Sequence, residues 1–113
     1  MSPDEKAGRL LASIAAAGDR TTVKAAGEVD FGTSPLLAEV LAAALRTGAA
    51  RVDVEFSQVT FCDCSGLNVL LDAHAQAADA GVALGLSGSL APVVDRVLSL
   101  TRLKPVLVTR SAA

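Results

Sequence analysis

With 113 residues, 51% of them hydrophobic and 19% charged, the chain is long enough to close one core without disulfides or metals and too apolar to be disordered. Aromatic residues make up only 3%, with no Trp or Tyr, so that core must be built from Leu, Val and Ala. The formal net charge of -2 and the lack of stacking side chains offer neither a basic face nor base platforms, which makes nucleic acid a poor candidate for a direct partner.

The two cysteines, Cys62 and Cys64, stand one residue apart, where a disulfide would need a badly strained ring. Reduced thiols, and with them a cytoplasmic setting, are the expectation. Lys6 and Arg9 before the apolar run Leu10 to Ala17 imitate a secretory signal, but Asp4, Glu5 and the shortness of the run argue against one. No segment is long and uncharged enough to span a bilayer; Glu39 and Arg46 interrupt the Ala-rich stretch from Pro35 to Ala50.

Residues 1–8 read as a disordered tail and residues 9–113 as one folded domain. Leu10 to Ala17 predicts a strand ending at Gly18-Asp19, and Thr21 to Val29 a second strand paired with it across that turn. A helix follows, with Ser34 as cap and Pro35 in its first position. Its apolar face is Leu37, Val40, Leu41, Ala44 and Leu45, and Gly48 stops it.

Val52 to Phe56 alternates apolar and charged residues as a strand does, with Val59 to Cys62 as its continuation. Gly66 opens a second helical pattern, with Leu67, Leu70, Leu71 and Ala78 as the buried stripe. Asn68, Asp72, Gln76 and Asp79 form the wet one, and Gly81 ends it. Val82 to Ser87 is nearly all apolar, as for a strand covered on both faces. Leu90, Val94, Val97, Leu98 and Thr101 mark a third helix, and Pro105 to Val108 a final short strand. The sum is a single α/β domain, a mixed sheet of about five strands with helices packed against it.

Chemistry concentrates at Phe61-Cys62-Asp63-Cys64-Ser65-Gly66, where a strand gives way to a helix. The first N–H groups of a helix lack internal partners and favour negative charge, so Asp63 or Ser65 can cap them and Gly66 permits close approach. A phosphorylated hydroxyl there would add about -1.5 to -2 charges. As plain chemistry, the stretch is also what an ordinary helix cap requires.

The chain resembles a STAS domain, the family of bacterial anti-sigma factor antagonists. Two motifs carry the resemblance: Gly27-Glu28-Val29-Asp30 after the second strand, and Phe61-Cys62-Asp63-Cys64-Ser65-Gly66-Leu67 at the turn. The order of elements agrees from about Leu10 to Val108. The resemblance implies partner switching: the unphosphorylated antagonist binds an anti-sigma factor of the Ser/Thr protein kinase type and releases a sigma factor. Phosphorylation at the turn ends that binding and a phosphatase restores it.

The expected partner surface is Asp63–Leu67 with the neighbouring Glu28–Thr33 loop, comprising Glu28, Asp30, Thr33, Asp63, Cys64, Ser65, Gly66 and Leu67; Glu28 and Asp30 read equally well as a solvated loop, and no cofactor is implied. The usual acceptor position, directly after the aspartate, holds Cys64 in this chain, which leaves Ser65 as the candidate phosphorylation site. The alternative is a STAS scaffold that assembles with other signalling proteins without phosphate control.

Other chemistries fit less well. Cys64 as the nucleophile of a reactive-cysteine enzyme would want a Cys-x5-Arg cradle, but the sixth residue on is Leu70. Asp63 as a receiver-type phosphoacceptor would want an acidic pair after the first strand, where Asp19 stands alone. His74 is expected to pack in its helix, and Cys62, Cys64 and His74 make no zinc set for want of a fourth ligand.

Overall fold

The computed structural model describes residues 4–108. Nine elements follow in order: β1 Asp4–Ala7, β2 Leu10–Ala17, β3 Arg20–Val29, α1 Ser34–Leu45, β4 Arg51–Cys62, α2 Cys64–Asp79, β5 Ala83–Ser87, α3 Pro92–Leu100 and α4 Lys104–Leu107. The strands form one sheet in sequence order, antiparallel across β1, β2 and β3 and parallel across β3, β4 and β5. Two hairpins thus build one half of the sheet. The two parallel joins each need a long crossover, which α1 and α2 supply.

Alternation decides the layers. Leu10 and Ala12 of β2, Val23, Ala25 and Val29 of β3, Val52, Val54 and Phe56 of β4, and Leu84 and Leu86 of β5 are buried on the face that carries the helices. Leu11, Lys24 and Ser57 point the other way and are exposed. Leu37, Val40, Leu41 and Ala44 of α1 and Leu67, Leu70, Ala73 and Ala77 of α2 close the core from above. It is an aliphatic core, as the composition requires, with Phe56 its single buried ring.

In β4 the buried apolar positions run Val52, Val54, Phe56, Val59 and Cys62, so the spacing stretches from two to three. Two register shifts against β3, after Lys24 and after Gly27, each insert one extra residue into β4. The bulges rephase the strand so that Val59 and Cys62 still face the core.

Several expectations need correction. Asp4–Ala7, placed in the disordered tail, pair with Leu10–Ser13 as β1; residues 1–3 lie outside the described residues. Thr33, not Ser34, occupies the cap of α1, and its hydroxyl bonds the preceding loop instead of the helix. The second helix starts at Cys64 rather than Gly66. Its buried stripe uses Ala73 and Ala77, because a helix at 3.6 residues per turn carries Ala78 round to solvent and leaves Leu71 half-buried. β5 begins at Ala83, which is exposed, and Leu84, Gly85 and Leu86 after it are buried in succession. Lys104–Leu107 form a helical turn with Pro105 in its first positions, where proline costs no hydrogen bond, and only Val108 bridges to Leu86.

Candidate functional site

The C-terminal ends of β3 and β4 lie side by side, and both lead straight into helices. The Asp63 N–H donates to the Val29 carbonyl at 3.1 Å, extending the parallel ladder by one residue and fixing Asp63 against the β3 end. With φ -98° and ψ -170°, Asp63 is extended and caps α2. Its Oδ1 accepts the N–H of Ser65 at 2.9 Å and of Gly66 at 3.3 Å, and the Ser65 hydroxyl also donates to it. The Asp63 carbonyl accepts the Leu67 N–H at 3.1 Å as the first helical bond.

The bond from the Ser65 hydroxyl, followed by those from the backbone N–H groups, holds the Asp63 carboxyl below its ordinary pKa against an opposing desolvation cost. Asp63 is therefore a fixed anion at neutral pH.

A second loop forms the other wall. Asp30 Oδ1 accepts the N–H of Gly32 at 2.9 Å and of Thr33 at 3.0 Å. The Thr33 hydroxyl donates to the Glu28 carbonyl at 2.8 Å and accepts the Asp30 N–H at 2.9 Å. Thr33 is buried, so its role is to tie this loop into shape. Arg9, from the β1–β2 turn, reaches Glu28 at 3.4 Å and Asp30 at 3.9 Å, while its carbonyl accepts the Glu28 N–H at 3.1 Å.

Of the residues expected in the site, Glu28, Asp30, Asp63, Cys64 and Ser65 share this end of the sheet with at least part of their surface in solvent. Gly66 and Leu67 do not reach that surface. Leu67 is a core residue, and a Cβ on Gly66 would sit 2.6 Å from both the Cys62 Sγ and a Val29 methyl. Gly66 is required for packing of α2 on the strands, not for approach of another molecule.

Both thiols are free. Cys62 is buried, and burial foremost, with the neighbouring Asp63 and Cys64 adding to it, pushes its thiol up to about 12. Cys64 is exposed in the first turn of α2. His74 lies ten residues further along the same helix, about 15 Å by helical rise, so it cannot serve Cys64 as a base. His74 is half-buried, packed along α2. Among the described residues no group of three His, Cys, Asp or Glu could hold a metal, and no helix is long and apolar enough to cross a membrane.

One neighbour of the site escaped the sequence reading. Arg9 reaches it only through the β1–β2 hairpin, for which no local signal exists. Phe31, inside the Glu28–Thr33 loop, was not singled out by type, and it stands in the turn with its ring in water.

Comparison with known proteins agrees with this architecture. An anti-sigma factor antagonist from Mycobacterium paratuberculosis superposes with a TM-score of 0.72 at 21% identity, over 87% of this chain and 82% of that one. The antagonist SpoIIAA in its unphosphorylated form gives 0.68 at 19% identity, over 89% of each chain. The phosphorylated form of the Bacillus cell fate determinant SpoIIAA gives 0.62 at 18%, over 89% and 92%. At these identities the likeness is one of fold. No protein with a curated description matches the chain in sequence. A family model described as "Mlab, STAS domain" matches residues 12–109, nearly the whole length, and the chain therefore belongs to the STAS domain family.

Proposed function

We propose that this chain is an anti-sigma factor antagonist. It binds an anti-sigma factor of the Ser/Thr protein kinase type through Glu28, Asp30, Asp63, Cys64 and Ser65, and so frees a sigma factor for transcription. Thr33, Gly66 and Leu67 lie beneath that surface as its support. In this reading the chain is not an enzyme and works in the cytoplasm; the kinase holds the ATP, and a phosphatase resets the switch.

The observation that carries the proposal is the bond from the Ser65 hydroxyl to Asp63. Ser65 is the one hydroxyl between positions 63 and 67. A phosphoryl group on its Oγ would remove that donor and set about -1.5 to -2 charges beside an ionised carboxylate. Repulsion and the cost of desolvating a dianion within a docked face both weaken the complex.

A second reading, a STAS scaffold that docks without phosphate control, is favoured by the neighbouring position. Cys64, directly after Asp63, is exposed but offers a thiol, and the Ser65 hydroxyl is already spent on the cap. One experiment separates the two. The protein is incubated with the anti-sigma factor kinases of the same genome and ATP, and intact mass and complex formation are followed together. Binding that is lost as one phosphoryl group appears on Ser65 supports the switch. Binding with no phosphorylation moves the assignment to the scaffold, and binding to none of the kinases removes the antagonist reading.

A further inference from the structure

Three phenylalanines are the chain's entire aromatic complement, and they divide sharply. Phe56 is fully buried, whereas Phe31 is 85% exposed and Phe61 42% exposed. Both exposed rings belong to the end of the sheet that carries Asp63. Phe61 stands opposite Glu28 in the β3–β4 register, and Phe31 follows Asp30 in the loop beside it. The Phe31 N–H also helps to hold the Asp63 carboxyl ionised, which places the base of this turn against the α2 cap.

The turn that displays Phe31 is pinned on both sides of the ring. Asp30 Oδ1 takes the N–H groups of Gly32 and Thr33, and the Thr33 hydroxyl closes back on Asp30 and Glu28. A ring with two rotatable bonds on a backbone held in this way loses little freedom when it docks. Its loop and the neighbouring cap carry Glu28, Asp30 and Asp63, and among the described residues Arg9 reaches the first two at 3.4 and 3.9 Å. An apolar anchor within an acidic rim matches a socket of the opposite make-up.

We propose that Phe31, with Phe61 at the same end of the sheet, is the anchor of the docking face, and that it enters an apolar socket ringed by Lys or Arg on a protein partner. The inference rests on the partner-binding role set out above and adds to it the residue that dominates affinity and the chemistry of the surface that receives it.

The test uses the full chain and the same set of anti-sigma factor kinases, with affinity measured by calorimetry at two salt concentrations. Phe31→Ala should weaken binding by about 30-fold or more, the range of an interface hot spot. Phe31→Leu, which keeps an apolar side chain, should recover roughly half of that loss on a logarithmic scale. Phe61→Ala should cost less than Phe31→Ala, and higher salt should weaken the wild type. Melting temperatures of the Phe31 variants should stay within a few degrees of wild type, because the ring makes almost no contacts within the fold. Wild-type binding that Phe31→Ala leaves within about twofold overturns the anchor while the antagonist reading stands. Binding that is indifferent to salt overturns the basic socket. Failure of the wild type to bind any kinase overturns the antagonist reading and the anchor with it.

Discussion

Ser65 donates its hydroxyl to the carboxylate of Asp63, the residue that caps the helix on which Ser65 rides. One oxygen of Asp63 thereby gathers the Ser65 hydroxyl and the N–H groups of Ser65 and Gly66. The candidate acceptor and the helix start are thus one hydrogen-bonded unit, and a change at either is felt at the other.

Removing the cap should therefore destabilise the domain. Asp63→Ala is expected to cost about 1–2 kcal/mol, the usual range for a capping carboxylate, with Asp63→Asn costing less because its amide oxygen still accepts. Urea unfolding at neutral pH reads both. The pH dependence has a definite sign. The folded carboxyl titrates below its unfolded value, so its contribution is present above the unfolded pKa and is lost as pH falls through the folded one. Wild type and Asp63→Asn should converge in stability as the solution is acidified below about pH 4.

Exchanging Cys64 for a hydroxyl should change what a kinase can do. Cys64→Ser puts an exposed hydroxyl in the first turn of α2, free of the bond to Asp63 that occupies Ser65. In a kinase that binds this chain, Cys64→Ser should be phosphorylated at least about tenfold faster than wild type, as the acceptor no longer has to leave a charge-assisted bond worth about 1.5–3 kcal/mol. Time courses of intact mass, with the site located by fragmentation, check this. Equal rates would mean that the Ser65 bond is no barrier.

The two thiols should differ sharply in reactivity. Under native conditions near pH 8 an alkylating reagent should add once, at Cys64, and add twice only after unfolding, as counted by intact mass. Cys62 also predicts an alkaline effect. Burial pushes its thiol from the ordinary value near 9 up to about 12 in the folded protein. The stability tied to its neutral thiol is therefore complete below about pH 9 and drains away as pH climbs towards 12, and Cys62→Ala should flatten that loss.

Glycine at two positions is demanded by close approach. A Cβ on Gly27 would stand 1.9 Å from the Arg9 carbonyl oxygen, and φ there is +112°, so Gly27→Ala meets both backbone and strain. Gly66→Ala meets side chains, the Cys62 Sγ and a Val29 methyl. Overpacking of this kind costs about 1–3 kcal/mol, and Gly27→Ala should be the worse because a backbone atom cannot rotate away. In the double variant Cys62→Ala/Gly66→Ala the penalty should fall short of the sum, since the sulfur that crowds position 66 is gone. Thermal unfolding of the four proteins closes this cycle.

What the sequence determined by itself was local. Alternation placed the start of β4, the turn at Gly18-Asp19 set β2 against β3, and Asp63 before Ser65-Gly66 announced a capped helix. In each case the information lies within a few residues of the element. The tail was misread because β1 is held by hydrogen bonds to β2, not by any pattern of its own. Pro105 to Val108 was misread because a short apolar run suits a strand and a helical turn alike, and packing of Leu107 decided between them.

At the site, tertiary structure alone decided direction. Whether Leu67 and Gly66 face solvent or core depends on how α2 lies across Val29 and Cys62. The approach of Arg9 to Glu28 and Asp30 depends on a hairpin remote from both motifs. Side-chain types along the turn were legible from the start. Which of them reach solvent, and which lie beneath the surface, is decided by contacts between residues distant in the chain.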